Sequence, residues 1–136
     1  MKRMLESLVV DLSAMLALIT DSNHSIRVTF WMETASITYA TDQLHIDLAD
    51  YFRELVIEEK ITTQTALAAC EKTRQLIDHY ASTESLWQES LFESLKYRIT
   101  AQEIAPIILA RKINASYITL VDSRRNIAES LGLNVY

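Results

Sequence analysis

Apolar residues first cluster at Leu8-Val9-Val10 and return after Asp11-Leu12-Ser13 as Ala14-Met15-Leu16-Ala17-Leu18-Ile19. The first run is short and β-branched, which predicts a buried strand, and the Asp and Ser side chains can cap a helix over the second. From Asp21 to Glu33 the pattern is poor, and Arg27 to Trp31 fits a strand or a short helix. Ser36-Ile37-Thr38-Tyr39 predicts a second strand, ending before a polar Thr41-Asp42 that can open a helix. Leu48, Tyr51, Phe52, Leu55 and Val56 then follow the i, i+3, i+4, i+7, i+8 spacing of one helical face. A helix is therefore predicted from about Asp42 to Glu58.

Thr62-Thr63 can cap another helix, in which Ala66, Ala69, Cys70, Thr73, Leu76, Ile77 and Tyr80 keep helical spacing. A further helix around Glu84 to Tyr97 presents Leu86, Leu91 and Leu95. Thr100-Ala101-Gln102-Glu103 has the T-x-x-E capping box, followed by an apolar stripe of Ile104, Ile107 and Ile108. Pro106 inside that helix should kink it or leave a backbone carbonyl open. Tyr117 to Val121 is strongly β-forming and ends at Asp122; Ser123 to Leu131 reads as a helix, Gly132 as its stop, and Leu133 to Tyr136 as a last short strand. Strands alternating with helices predict an α/β fold with a central parallel sheet flanked by helices. No repeat, low-complexity tract or linker interrupts the series, so residues 1–136 read as one domain.

Composition narrows the functional classes. The longest apolar stretch, Leu5 to Ile19, is broken by Glu6 and Asp11 and is too short to cross a bilayer. Lys2-Arg3 precedes it, but the two acids and the lack of a small-residue cleavage site argue against a secretory signal and point to a cytoplasmic protein. The single cysteine, Cys70, excludes an internal disulfide and a thiolate zinc cluster. One glycine leaves no phosphate cradle of the P-loop or dinucleotide-binding kind. A net charge of −5 argues against a broad cationic nucleic-acid surface, so any such contact must be local.

In an open parallel sheet, ligands gather beyond the carboxyl ends of the strands. Asp11 and Asp122 each follow a predicted strand directly. Converging carboxylates repel unless a cation lies between them, and a hard divalent ion with oxygen ligands, magnesium or manganese, is the usual resolution. An Asp between strand and helix also reads simply as an N-cap. Glu103 is equally explained as the partner of Thr100 in the capping box, and Asp47 as a solvated helix residue.

Over nearly its whole length the chain resembles the PIN-domain family, and within it the VapC-like toxin ribonucleases. Leu8-Val9-Val10-Asp11-Leu12-Ser13 is similar to that family's opening strand, D-x-S and apolar helix. The segment from Asp42 to Phe52 resembles the second motif, with Asp47 as the acid and Asp50 where Asn is common. Ile99 to Ala110 resembles the third, with Gln102 replacing an aromatic residue and Glu103 replacing Asp. The C-terminal Tyr117 to Tyr136 looks like the closing strand, acid, basic pair, helix and strand, with Asp122 as the acid.

The resemblance implies that Asp11, Asp47, Glu103 and Asp122 converge on Mg2+ or Mn2+, which would activate water against an RNA phosphodiester. Ser13 would support the site, and Arg124 and Arg125 would hold RNA phosphate, although an exposed basic pair on a helix is commonly a solvated face. A homodimer and a small antitoxin partner are implied as well. The function expected is thus a metal-dependent endoribonuclease. Its alternative is a PIN-fold binding or regulatory module without catalysis, because the shorter Asp47 and longer Glu103 shift their carboxylates by about 1 Å. His24, His45 and His79 have no metal-site spacing; Trp31 and Trp87 could stack on bases, but core or subunit-interface packing is the better reading of each.

Overall fold

The computed structural model describes residues 5–20 and 22–136; Lys2-Arg3 and Asp21 lie outside them. Strand β1 (Leu5–Val10) pairs in parallel with β2 (Ala35–Thr41) on one side and with β4 (Ser116–Ile118) on the other, and β3 (His79–Ala81) pairs in parallel with β2. The sheet order is β3-β2-β1-β4. This is the expected α/β class, a central parallel sheet flanked by helices, and it is consistent with a PIN-like fold.

Because successive side chains of a strand point to opposite faces, central β1 feeds two cores. Leu8 and Val10 join the first core, with Met15 of α1 (Leu12–Ile19), Val28 of α2 (Ser25–Thr34) and Leu48 of α3 (Leu44–Ile57). Ala66, Ala69 and Cys70 of α4 (Thr63–Leu76) pack against the same core. Val9 joins the second, with Ile104, Ile107 and Ile108 of α6 (Ala101–Ile113) and Ile127 of α7 (Asp122–Ser130). Helix α5 (Trp87–Tyr97) packs on α6 from outside. The length of α6 from Ile104 to Ala110 is nearly all buried, which explains why its apolar residues surround the helix instead of forming a stripe.

Several elements differ from the sequence reading. The undecided segment before Glu33 is helix α2. Helix α3 starts at Leu44, not Asp42, and no side chain caps it; Asp42 instead accepts from the Thr83 N–H at 3.1 Å. Tyr80 belongs to β3, because α4 ends at Leu76. A 3-10 turn (Thr83–Ser85) precedes α5, which starts at Trp87, and Leu91 and Leu95 of that helix face solvent. Strand β4 stops at Ile118, and the segment expected as a last strand makes only a β-bridge from Val135 to Tyr117.

Three of the capping predictions hold, while Asp42 and Asp122 cap no helix. Asp11 and Thr62 each accept a helix N–H, and Thr100 with Glu103 forms the reciprocal box. Pro106 does not end α6, but it has no N–H for the Gln102 carbonyl. Gly132 follows α7 with φ +84, a conformation that other residues rarely adopt, and this backbone demand rather than any close neighbour favours glycine there. Among the described residues no helix is long and apolar enough to cross a membrane.

Candidate functional site

Strand order reverses between β1 and β4, since β2 and β3 are laid down on one side of β1 and β4 on the other. Such a switch point opens a crevice beyond the strand ends. Asp11 stands immediately after β1 and Thr119 immediately after β4, so both arrive at this crevice.

Asp11 is 2% exposed, and both of its carboxylate oxygens are engaged. Oδ1 accepts from Ser13 Oγ at 2.6 Å and from the Ala14 N–H at 3.0 Å. Oδ2 accepts from Thr119 Oγ1 at 2.6 Å, Tyr117 OH at 2.9 Å and Arg124 Nη1 at 3.3 Å. The N-cap reading of Asp11 therefore holds, and the same carboxylate also takes hydrogen bonds from β4 and the residue just past it. Ser13 also accepts the Leu120 N–H at 2.9 Å, tying the start of α1 to the chain leaving β4. Burial, and then the Asp11 charge, push the Tyr117 hydroxyl well above its ordinary range, so it stays a proton donor to Asp11.

Arg124, on the first turns of α7, extends its other nitrogen to Glu103 Oε1 at 3.4 Å. Glu103 Oε2 meanwhile accepts the Thr100 N–H at 3.1 Å as its part of the capping box. That backbone hydrogen bond is the largest influence holding the Glu103 carboxyl below its usual range; the Thr100 side chain and the Arg124 charge act in the same direction, against partial burial. Asp47, in the first turn of α3, accepts a hydrogen bond from the Gln102 side-chain amide. Desolvation raises the Asp47 carboxyl, the neighbouring Asp50 charge adds to the rise, and the Gln102 bond opposes it.

Asp11, Asp47, Glu103 and Arg124 line one cavity of about 340 Å³, with Val10, Leu44 and Pro106 among its apolar walls. Gln102, whose carbonyl Pro106 leaves without a helical partner, also lines it. Asp122 does not. It is the first residue of α7, exposed, while the N-cap position belongs to Val121. Arg125 turns away from the acids and donates to the carbonyls of Thr119, Tyr136 and Val135 at 3.2, 3.1 and 3.4 Å. It clamps the C-terminal segment to the end of β4, and Trp31 stacks on Tyr136 at 3.9 Å on the same segment.

The acids as arranged do not suit a divalent ion. Among the described residues no three His, Cys, Asp or Glu side chains are grouped closely enough to hold one. The Arg124 guanidinium lies between Asp11 and Glu103, and Asp11 has roughly four lone-pair sites for the five donors already upon it. Sequence reasoning missed Tyr117 and Thr119 as partners of Asp11. Their signal was present, since both fall in the strand predicted from Tyr117 to Val121, where residues two apart share a side of the sheet. No protein-family model matches this chain, and no curated protein matches it.

Proposed function

We propose that the chain is a non-catalytic binding or regulatory module on a PIN-like scaffold, its acidic crevice closed by an internal cation. The supporting observation is the Asp11 carboxylate, which is buried and accepts five hydrogen bonds, one of them from Arg124. A hard cation binds through carboxylate lone pairs that face it. Here those lone pairs face hydroxyls, an amide and a guanidinium, and Arg124 already balances the charge that would otherwise make an acidic cluster unstable.

A second reading is the magnesium- or manganese-dependent endoribonuclease, with RNA as substrate, an antitoxin partner and a homodimer. It is favoured by the shared cavity of Asp11, Asp47 and Glu103. It requires Arg124 to leave Asp11.

Calorimetric titration with manganese, run on the wild-type chain, Asp11→Asn and Arg124→Ala, decides between them. The module reading expects no saturable binding to the wild type and no metal-dependent cleavage of structured RNA. Wild-type binding that Asp11→Asn abolishes, accompanied by RNA cleavage, would replace it with the nuclease.

A further inference from the structure

A second cavity, of about 230 Å³, lies between α5 and α6. Leu86, Ala101 and Ala105 give it an apolar floor, and Trp87, itself 53% exposed, stands at its rim. Ser90 also lines it and is 2% exposed, yet its Oγ has no hydrogen-bond partner. The Ser90 backbone N–H is satisfied by the Leu86 carbonyl at 3.0 Å, so only the hydroxyl is left over. A buried hydroxyl without a partner is unfavourable unless something else completes it.

Two amides complete the lining. Gln102 commits its N–H to Asp47, leaving its Oε1 to accept, and Gln43 makes no side-chain hydrogen bond among the described residues. The combination is an indole, a hydroxyl and two amides around an apolar slot. It suits a planar heterocycle with polar edges, since glutamine amides pair with purine edge groups and aromatic side chains stack on base faces. The surrounding charge is acidic. Thr83 of the lining donates its N–H to Asp42 at 3.1 Å, and Gln102 is bonded to Asp47. Two carboxylates beside the slot disfavour a phosphate there.

We propose that this cavity binds an uncharged purine, as the free base or nucleoside, stacked on Trp87 with a polar edge on Ser90, Gln43 and Gln102. The assignment goes beyond the reading of the acidic crevice, with which it shares the Gln102 side chain bonded to Asp47.

The test is calorimetric titration of the full chain with adenine, adenosine, adenosine monophosphate and indole. Adenine and adenosine should bind saturably, with the monophosphate and indole weaker. Ser90→Ala should weaken adenosine binding about threefold to tenfold, and Trp87→Ala about tenfold or more. Trp87 is half exposed, so its replacement leaves the fold intact even if the buried Ser90 change does not. Absence of saturable adenine and adenosine binding at millimolar concentration overturns the proposal. So does a preference for the monophosphate or indole, or unchanged affinity in Trp87→Ala.

Discussion

Asp11 and Arg124, 113 positions apart in the chain, meet at 3.3 Å where strand order reverses, and the arginine is 19% exposed while the carboxylate is 1%. The pair is thus buried on the acid's side and partly wet on the base's side. Removing Arg124 leaves Asp11 with four neutral donors and an unbalanced charge. Arg124→Met should destabilise the fold by about 1 to 3 kcal/mol. In a double-mutant cycle with Asp11→Asn, urea denaturation should report a coupling of similar sign; additive losses would mean that the two residues do not interact.

Thr100→Ala removes one half of the capping box and should cost about 1 kcal/mol in thermal or urea unfolding. Its effect on pH dependence is separable. The Glu103 carboxyl is depressed in the folded chain, so its stabilisation is present above the unfolded pKa and lost as pH falls through the lower folded value. The wild type should lose stability across that acidic window, and Thr100→Ala should lose less.

Asp47 has the opposite sign. Its raised carboxyl means that the folded chain holds a proton more readily than the unfolded one, so the ionised form opposes folding at neutral pH. Asp47→Asn keeps an oxygen for Gln102 and removes the repulsion with Asp50. It should raise the melting temperature at pH 7, by a gain below about 1 kcal/mol. That gain should vanish once the pH falls below the ordinary carboxylate range; an equal gain at both pH values would point to packing instead.

Arg125→Ala should free the C-terminal segment without touching the acidic crevice. Hydrogen exchange is the appropriate measurement, because the Tyr117 N–H donates to the Asn134 carbonyl and the Tyr136 N–H to the Tyr117 carbonyl, both at 2.9 Å. Protection at these two amides should fall, while the Ala14 amide on Asp11 remains protected. Had Arg125 been only a solvated surface charge, neither amide would change.

What was legible in the sequence was local. The run from Leu8 to Ile19 announces strand, cap and helix because both periodicities and the capping side chain lie within a dozen residues. The Thr100–Glu103 box is legible for the same reason. Strand β3 was missed because it is a three-residue edge strand whose Tyr80 happens to continue the helical spacing of α4. Asp122 was misplaced because Thr119 to Val121 have β-forming side chains but lie past the end of β4. Arg124 drew notice as a basic residue, yet its partner lies at the far end of the chain, and no spacing rule connects them.

The central position of β1 carries a consequence for biosynthesis. Its pairing with β2 involves only the first 41 residues, but its other edge and the Asp11 carboxylate wait for partners 106 to 113 positions downstream. A nascent chain therefore emerges with an open, apolar strand edge and an incomplete polar socket, closed only when β4 and α7 are translated. Long-range closure of this kind is slow and leaves strand edges open to association. Chaperone dependence should therefore concentrate in the interval between the emergence of β2 and the arrival of β4.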